Sequence, residues 1–237
     1  MINQKGLVSV IMSCHNSEDV LKLSVESILS QTYENIELLI MDDGSTDSTF
    51  EIMNEFSKIH KNIRIFQNDT NIGLTKSLNL LINYSKGEFI ARQDADDVSL
   101  RVRIETQMIK MEKNSLDFSA TRAIIKNSTK KIPGLSYFLP SKYLVQYKNP
   151  FIHGTMLFRK KSLYKIGCYD ENYYFAQDYK LISDMIKNKF KYRKIFTPLY
   201  ILNMKNNISS NKKNEQQYYA NCVKKNIRPD PNFKLNK

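Results

Sequence analysis

Short apolar runs alternate with longer amphipathic segments through the first hundred residues of this 237-residue chain. Three runs lack a helical period and have the composition of strands buried on both faces: 7–13, 36–41 and 63–67. The segments between them carry apolar residues at helical spacing over about 10 to 15 residues. This alternation predicts parallel βαβ units, and therefore an α/β fold with a mixed, mostly parallel sheet flanked by helices.

A run of acidic residues follows the next predicted strand, in the sequence GEFIARQDADD of residues 87–97. Asp94 and Asp96 point to the same side of an extended chain because side chains alternate with a period of two. Two carboxylates about 5 Å apart repel by about 3 kcal/mol at an effective dielectric near 20, which favours a bound cation. Together with Asp97, these hard oxygen ligands favour Mn²⁺ or Mg²⁺. The alternative is a solvated acidic loop that caps the next helix.

Polar residues also follow the first two predicted strands. Cys14, His15 and Asn16 end the first strand, and Asp42 and Asp43 end the second. Because the carboxyl ends of parallel strands meet at one edge of a sheet, where ligands bind, we expect these residues and the acidic run to form one site. No GxGxxG and no GxxxxGK[ST] motif occurs, which disfavours a typical dinucleotide site and a P-loop.

The predicted helix ends rest on capping residues and one glycine. Asn16 or Ser17 is placed to cap the first helix. Ser48 and Glu51 have the spacing of a capping box at the start of the second. Gly87 is placed to end the third helix.

The second half of the chain is predicted to surround a variable region. Helical spacing predicts helices at 101–112 and 178–187, and apolar runs predict strands at 117–125, 155–159 and 195–202. Pro198 within the last run favours an edge strand. The basic stretch 126–149 contains Pro133, Gly134 and Pro140, and it is predicted to be a loop over the site.

The chain is basic, with 36 Lys and Arg against 24 Asp and Glu and a formal net charge of +12. Nucleic acid, an anionic membrane surface or a phosphorylated ligand would suit this charge, as would a coding bias toward lysine with no partner. Three widely spaced cysteines without a CxxC pair favour reduced thiols in a cytoplasmic protein. No apolar run reaches the ~18 residues of a membrane span. The tail contains a predicted helix over 214–227 that packs on the body or lies on a membrane surface.

Taken together, the motifs resemble the inverting family-2 glycosyltransferases of the GT-A fold, which serve in bacterial glycan biosynthesis. The resemblance rests on SCHN, LSVESILSQTYENIELLIMDDGSTDST, NIGLTKSLN, GEFIARQDADD, HGTMLFRKKSLYKIGCYDE and FAQDYKL in the expected order. It implies one GT-A glycosyltransferase domain over residues 1–210, with a nucleotide-sugar-binding half at 1–100 and an acceptor-binding half at 101–210. Residues 211–237 form the basic C-terminal tail.

The resemblance also assigns the donor site. The implied donor-binding residues are His15, Asn16, Asp42, Asp43, Gly73, Lys76, Arg92, Asp94 and Asp96. It places His15 against the nucleotide base and gives Asp43 the N3–H of uracil to bind, which implies a UDP-sugar donor. It implies that Asp94 and Asp96 hold the ribose and the metal. Asp97 would be a further metal ligand or would support the other two through contacts outside the metal's own ligands. The metal would neutralise the diphosphate leaving group as a Lewis acid, and Arg92 would oppose the same charge or pair with the aspartates.

Asp178 is the catalytic base that the resemblance implies. It is predicted to open a helix whose dipole keeps the carboxylate ionised. In a single displacement it would take the proton of the acceptor hydroxyl as that oxygen attacks the anomeric carbon. Gln177 stands where the family usually has Glu. His153 and Arg159 match the stretch that lines the sugar and acceptor pocket, and both suit a framework role equally well.

The chain departs from the family pattern after the last predicted strand. Many relatives carry an Arg-x-His there that reaches the metal or the diphosphate, and this chain has the sequence Leu202-Asn203-Met204-Lys205. We hypothesise that Lys205 contacts the diphosphate directly or that the metal is held more weakly.

These observations favour a metal-dependent inverting glycosyltransferase that moves a hexosyl or N-acetylhexosaminyl group from a UDP-sugar. The expected acceptor is a glycan or lipid-linked glycan in surface polysaccharide synthesis. The alternative is a non-catalytic basic protein that binds nucleic acid or an anionic surface. Because the acidic lining of the predicted site repels a phosphate backbone, no nucleic-acid partner is expected. The expected location is the cytoplasm, with or without a peripheral contact at the inner face of the membrane.

Overall fold

A computed structural model describes residues 4–205, 212–230 and 233. The strands are β1 (Gln4–Cys14), β2 (Ile36–Asp42), β3 (Ile63–Gln67), β4 (Gly87–Arg92), β5 (Val98–Ser99), β6 (Phe118–Ile125), β7 (Lys131–Ile132), β8 (Leu157–Arg159) and β9 (Tyr192–Leu202). The α-helices are α1 (Leu21–Leu29), α2 (Thr49–Ile59), α3 (Leu74–Tyr84), α4 (Arg103–Lys113), α5 (Ser141–Leu144), α6 (Lys160–Ile166), α7 (Gln177–Lys187) and α8 (Lys213–Lys225). Short 3₁₀ turns cover Leu135–Phe138 and His153–Thr155.

These strands form one sheet in the order β3-β2-β1-β4-β8-β6-β9-β5, and β7 pairs with β6 outside that order. The long pairings β3-β2, β2-β1, β1-β4 and β6-β9 are parallel, whereas β8 pairs antiparallel with β4 and β6 over two or three residues. The predicted α/β class with a mixed, mostly parallel sheet is confirmed.

The sheet separates two apolar cores because successive side chains of a strand point to opposite faces. In β1, Ile11 lies in one core, and Val10 and Met12 lie in the other. Helices α3, α6, α7 and α8 contribute to the first core, and α1, α2 and α4 contribute to the second. All seven residues of β2 are buried, as expected for a strand that is covered on both sides.

The helix caps predicted for α1 and α2 are not formed. α1 begins at Leu21 without a side-chain cap, so the capping role predicted for Asn16 or Ser17 is wrong. At α2 the predicted capping box is also absent, and Asp47 Oδ1 accepts from the backbone N–H of Thr49 at 3.0 Å.

Gly87 does not end α3; it is the first residue of β4. A Cβ at this position would lie 2.5 Å from Ser9 Oγ and 2.6 Å from Leu7 O, closer than side chains approach. The glycine is therefore required by the close approach of β4 to β1 and not by a helix end.

Pro198 in β9 faces an irregularity in the pairing with β6, where the register shifts between Thr121 and Arg122. β5 covers β9 on its other side only at Tyr200 and Ile201. Among the described strand pairings, the first part of β9, which includes Pro198, is therefore an edge strand. Only its last residues have a strand on both sides.

The region 126–149, predicted to be a loop over the site, reaches Asp178 through Asn149 but is not a loop throughout. It contains β7, a 3₁₀ turn and α5. Tyr137 in the turn is buried, and its hydroxyl donates to Ala120 O at 2.9 Å. Two arrangements were predicted for the tail helix: packing on the body or lying on a membrane surface. α8 packs on the body, since Cys222 and Val223 lie in the first core.

Candidate active site

The carboxyl ends of β1, β2 and β4 lie side by side at one edge of the sheet. β1 runs between the other two strands, with Cys14 paired to Asp42 on one side and Ile11 paired to Arg92 on the other. The backbone N–H of Asp43 donates to Cys14 O at 2.8 Å. The polar residues that follow these three strands therefore meet at one edge, where α/β sheets bind ligands.

Asp43 is buried and holds the loop before α3 in place. Its Oδ1 accepts hydrogen bonds from Asn68 Nδ2, Ile72 N and Ser77 Oγ at 2.8 to 3.0 Å. Its Oδ2 accepts from Gly73 N at 2.9 Å. Among the described residues, Oδ1 thus accepts three hydrogen bonds and Oδ2 accepts one.

The other polar residues at the ends of β1 and β2 differ in their exposure. His15 and Asn16 are exposed, and the His15 ring Nδ1 lies 3.1 Å from Asp43 O. Asp42 is fully buried and accepts from Gln67 Nε2 at 3.0 Å. His15 and Asn16 are thus available to a ligand, whereas Asp42 belongs to the framework that supports them.

Gly73 and Lys76 lie at the start of α3. Gly73 has φ +90°, and a Cβ there would lie 2.8 Å from the ring of Tyr174. Lys76 is exposed in the first turn of the helix. Glycine is therefore needed for both the backbone conformation and the close approach of an aromatic ring.

Arg92 is buried at the end of β4 and pairs with the first aspartate of the acidic run. Its Nη2 lies 2.5 Å from Asp94 Oδ1, and its Nη1 donates to Ile11 O at 3.1 Å. The backbone N–H of Asp94 donates to the hydroxyl of Tyr200 at 3.1 Å. Arg92 thus acts in this structure as the ion-pair partner of Asp94.

Burial and mutual repulsion raise the pKa values of the two following aspartates. Burial raises the pKa of Asp96 to about 6, and the charge of Asp94 contributes. Burial raises the pKa of Asp97 to about 9, with Asp94 and Asp96 adding to the shift. Asp97 points into the protein, where its Oδ1 accepts from Asn203 N at 2.6 Å. Ionisation of all three aspartates together is therefore disfavoured unless a cation is bound beside them.

Asp94, Asp96 and Asp97 do not form a three-ligand metal site on their own. Across residues 4–205, 212–230 and 233, no three His, Cys, Asp or Glu side chains come together in a way that would hold a metal ion. Asp94 and Asp96 nevertheless fit a divalent cation, since both are partly exposed carboxylates whose repulsion a cation would relieve. Such an ion would take its remaining ligands from a diphosphate, as Mg²⁺ commonly does.

Asp178 is the second residue of α7, as predicted, but its electrostatics differ from the prediction. Its Oδ1 accepts from Tyr179 N and its Oδ2 accepts from Asn149 Nδ2, both at 2.7 Å. Burial raises the pKa of Asp178, and the charge of Asp94 adds to this shift. Burial thus opposes the effect expected of the helix dipole, which is to favour the ionised carboxylate.

A buried tyrosine connects Asp178 with the acidic run. Both Asp178 and Asp94 help to raise the pKa of Tyr169, whose main cause is burial. The hydroxyl of Tyr169 lies 2.7 Å from His153 Nε2. Burial and the charge of Arg92 lower the pKa of His153, so its imidazole is neutral at physiological pH. His153 thus contacts Tyr169, and the charges of Asp94 and Asp178 both act on the same hydroxyl.

Arg159 is not brought to this site, which corrects its assignment to the sugar and acceptor pocket. It pairs with Phe89 in the first half of β4, and its Nη1 lies 2.5 Å from Glu88 Oε1. Its guanidinium also covers the ring of Phe89 at 4.7 Å. Since the site follows the other end of β4, Arg159 has the framework role. Gln177 is buried directly before Asp178.

Three residues that support the acidic run were not predicted: Gln93, Arg103 and Tyr200. Gln93 is fully buried, and its Nε2 donates to Asp97 O at 2.9 Å. Arg103 donates to Gly154 O at 3.1 Å and lies over the Tyr200 ring at 5.4 Å. The only local sequence signal was the position of Gln93 inside the acidic motif, because the other contacts join residues that are distant in the chain.

Comparison with known proteins identifies the family of the chain. The model of glycosyl transferase family 2 matches residues 9–167, which is well over half of the sequence. The chain belongs to glycosyl transferase family 2. Homologues of this glycosyltransferase include proteins of O-antigen biosynthesis.

Two curated relatives illustrate the similarity. An uncharacterized glycosyltransferase of Haemophilus influenzae is 33% identical over 197 residues, which cover 76% of this chain and 60% of the relative. The UDP-Glc:alpha-D-GlcNAc-diphosphoundecaprenol beta-1,3-glucosyltransferase WfgD of Escherichia coli is 39% identical over 113 residues, 47% of this chain and 44% of the relative. The chain thus spans about 60% or less of the length of these relatives.

Solved structures confirm the GT-A fold expected for this glycosyltransferase. S. aureus TarS 1–349 in complex with UDP has a TM-score of 0.73 at 19% identity, over 95% of this chain and 67% of that one. The mannosyltransferase PcManGT from Pyrobaculum calidifontis, in complex with GDP-Man and Mn²⁺, has a TM-score of 0.73 at 14% identity, over 98% of this chain and 68% of that one. None of the helices in the described residues is both long enough and apolar enough to span a membrane.

Proposed function

We propose that this glycosyltransferase transfers a hexosyl or N-acetylhexosaminyl group from a UDP-sugar, with inversion, to a glycan or lipid-linked glycan in surface polysaccharide synthesis. The observation that carries the proposal is that the segment 149–154 lies against both carboxylates: Asn149 Nδ2 donates to Asp178 Oδ2 at 2.7 Å, and a Cβ on Gly154 would lie 2.6 Å from Asp94 Oδ2. A catalytic carboxylate thereby shares a site with the acidic run that follows β4. The donor half of this proposal corresponds to residues 1–100 and the acceptor half to residues 101–210.

The donor is proposed to bind across the tips of β1, β2 and β4. His15 is exposed beside Asp43, so its ring is available to a nucleotide base. Asp43 Oδ2, which accepts one hydrogen bond where Oδ1 accepts three, is the oxygen proposed to bind the N3–H of uracil. The TarS structure is a complex with UDP, and WfgD is a UDP-Glc glucosyltransferase; both support a uridine donor. PcManGT carries GDP-Man, and guanine is therefore the alternative base to test.

Asp94 and Asp96 are the residues that would hold Mn²⁺ or Mg²⁺ in this proposal. When bound, the ion supplies Lewis-acid stabilisation of the leaving diphosphate. The Mn²⁺ of PcManGT supports a divalent ion in proteins of this fold. Arg92 remains the ion-pair partner of Asp94 and orients it.

Asp178 is proposed to accept the proton of the acceptor hydroxyl. As that oxygen forms its bond to the anomeric carbon, the bond to the diphosphate breaks on the opposite face, and the configuration inverts. A carboxylate with a raised pKa is a stronger base than an ordinary one, provided that it is ionised at the working pH. Tyr169 and His153 lie beside it and shape the pocket.

A donor screen tests the proposal. The purified chain is incubated with Mn²⁺ and a panel of nucleotide sugars, and thermal stabilisation by UDP is compared with that by GDP and CMP. We expect stabilisation by UDP, and stabilisation by GDP alone would contradict the role given to Asp43. Asp178→Asn should keep donor binding and lose transfer by at least about 100-fold. Asp184→Asn, on the same helix and paired with Lys180, is the matched control and should transfer normally.

A non-catalytic binding role is the second candidate, which the net charge of +12 alone supports. Retention of a nucleic acid by the chain, without stabilisation by any nucleotide, would favour it over the enzyme.

A further inference from the structure

One exposed surface outside the candidate active site combines apolar and basic side chains. We define the aromatic-lysine patch by its apolar members: Leu135, Phe138, Leu139, Tyr143, Tyr147 and Phe196. Leu135 is 87% exposed, Tyr147 is 71% exposed and Phe138 is 59% exposed. Large apolar side chains exposed singly are ordinary, whereas a contiguous group of them marks an interaction surface.

The members of the patch are contiguous in space. The ring of Phe138 stacks on that of Phe196, with centroids 5.1 Å apart, which joins the 3₁₀ turn to β9. Lys148 Nζ lies 3.0 Å from Ser136 Oγ and joins the segment after α5 to the same turn. Lys194 Nζ donates to Leu139 O at 2.6 Å. These contacts fix the backbone of the patch while its leucine and aromatic side chains face solvent.

The charge around the patch is of one sign. Residues 118–150, which form most of the patch and its surroundings, contain six Lys and Arg and neither Asp nor Glu. The lysines nearest to the patch members in the chain are all exposed: Lys130, Lys131, Lys142 and Lys148. Lys142 lies over the ring of Tyr143 at 4.8 Å, and Arg122 lies over that of Phe138 at 5.8 Å. Cationic and aromatic groups therefore alternate over the same surface.

We propose that the aromatic-lysine patch docks the protein on an anionic lipid surface. Leucine and aromatic side chains insert at the boundary between headgroups and acyl chains, and lysines beside them attract anionic headgroups. A second copy of the chain is disfavoured as the occupant, because two such patches would bring like charges together. Nucleic acid would pair with the lysines, but its phosphates and sugars would not bury the exposed Leu135 and Leu139 side chains.

The position of the patch suits a lipid-linked acceptor, and this part of the inference rests on the proposed function. Asn149, which bonds to Asp178, is two residues from Tyr147. Two residues span at most about 7 Å of chain. A membrane in contact with Tyr147 would thus hold the lipid end of an acceptor close to the catalytic carboxylate. Lipid binding itself does not depend on that role.

Vesicle sedimentation tests the proposal with the full chain. Vesicles of phosphatidylcholine alone are compared with vesicles that contain phosphatidylglycerol, each at low and high NaCl. We expect binding only to the anionic vesicles and a marked loss at 0.5 M NaCl, because salt screens surface charges. Neutralising Lys130, Lys131 and Lys142 with Gln should weaken binding about fivefold for each lysine. Leu135→Ser with Leu139→Ser should weaken it at least tenfold.

Matched variants separate the patch from other surfaces. Ile59→Ser replaces another exposed apolar residue, 74% exposed on α2, and should bind vesicles like the parent. Lys224→Gln with Lys225→Gln tests the tail helix α8 and should also bind like the parent. The unfolding temperature without ligand should be unchanged in every variant, so a loss of lipid binding is not a loss of fold. Thermal stabilisation by UDP, measured separately, distinguishes failure of the docking proposal from failure of the proposed function.

Three outcomes would overturn the proposal. The first is equal binding to neutral and anionic vesicles or to neither, and the second is unchanged binding by the Leu135→Ser, Leu139→Ser variant. The third is a patch-dependent dimer in light scattering, or patch-dependent retention of RNA, in the absence of vesicle binding. Each of these results would assign the patch to another occupant or to none.

Discussion

The carboxylate of Asp43 accepts a hydrogen bond from the backbone N–H of Gly73 at 2.9 Å, which ties the end of β2 to the start of α3. Three further donors bind the same buried carboxylate. Removing one buried partner leaves the other groups without compensation for their lost hydration. The donor edge of the sheet thus depends on an internal carboxylate as well as on its exposed residues.

Asp43→Ala should lower the free energy of unfolding by about 2 to 4 kcal/mol, because several buried donors lose their acceptor. Urea denaturation measures the change. Asp69→Ala, in the same loop but exposed, should change stability by less than about 0.5 kcal/mol. Equal stability of Asp43→Ala and the parent would show that the hydrogen bonds around Asp43 contribute little.

Gly154→Ala should strongly reduce transfer, because residue 154 packs against Asp94 of the acidic run. A Cβ at residue 154 would collide with the Tyr200 hydroxyl and lie 2.6 Å from Asp94 Oδ2, so Asp94 must move. A displacement of about 1 Å in a catalytic constellation can cost about 100-fold in rate. Gly134→Ala is the matched control, since a Cβ there has no heavy atom within 4 Å. Transfer rates at saturating donor measure both variants, and equal rates would contradict the geometry described for Asp94.

Asp178→Asn should raise stability at neutral and alkaline pH while it removes transfer. The pKa of Asp178 is raised in the folded protein, so its contribution to stability is complete below the unfolded pKa near 3.9 and is lost as pH rises through the folded pKa. The amide carries no such charge. The variant should therefore have a higher unfolding temperature than the parent at pH 8, and the difference should vanish near pH 3.5.

The control for this pH dependence is Asp184→Asn, which loses the ion pair with Lys180 and should gain no stability at pH 8. A parent and an Asp178→Asn variant that unfold at the same temperature across the whole pH range would show that burial of Asp178 is not costly.

Much of the fold follows from local patterns. β1, β2, β3 and β4 lie where apolar runs without helical period predict them, because strands buried on both faces need such runs. The convergence of Asp42, Asp43 and Asp94 on one edge follows from parallel topology alone. These features depend on residues that are close in sequence or on a general rule of sheet geometry.

The remaining features depend on contacts between distant parts of the chain. Gly87 follows a helix in sequence, but the approach of Ser9 and not the helix requires it. Arg159 lies in a family-like stretch, yet its partner Glu88 is at the far end of β4. The pKa of Asp178 is set by burial that depends on tertiary packing, whereas the helix dipole was the only influence visible locally.

Lys205→Ala should weaken donor binding roughly tenfold if Lys205 contacts the diphosphate, the value expected for one charge-assisted hydrogen bond. Two hydrogen bonds lead from the site to this lysine: Asn203 N donates to Asp97 Oδ1, and Lys205 N donates to Asn203 Oδ1 at 3.1 Å. Isothermal titration with UDP measures the effect. Lys61→Ala, at an exposed turn before β3, should bind UDP like the parent. Unchanged affinity in Lys205→Ala would remove this contact from the proposal.

Gln93→Glu should make stability fall as pH rises, because it places a carboxylate in a fully buried polar network. Gln93 Nε2 donates to Asp97 O at 2.9 Å and its Oε1 accepts from Ser99 Oγ at 2.6 Å. A neutral glutamic acid can keep both bonds, whereas an ionised one loses its donor to Asp97 O and has only the Arg103 guanidinium nearby, whose Nη2 lies 3.4 Å from Oε1. Because the site is fully buried, we expect the folded pKa to be raised, so stability is complete below the unfolded pKa near 4.3 and is lost as pH rises through the folded pKa. Urea denaturation at pH 5 and pH 8 measures the change, and Gln146→Glu, an exposed control, should show no such dependence. A pH-independent loss in Gln93→Glu would indicate that the residue acts by shape and not by donating to the acidic run.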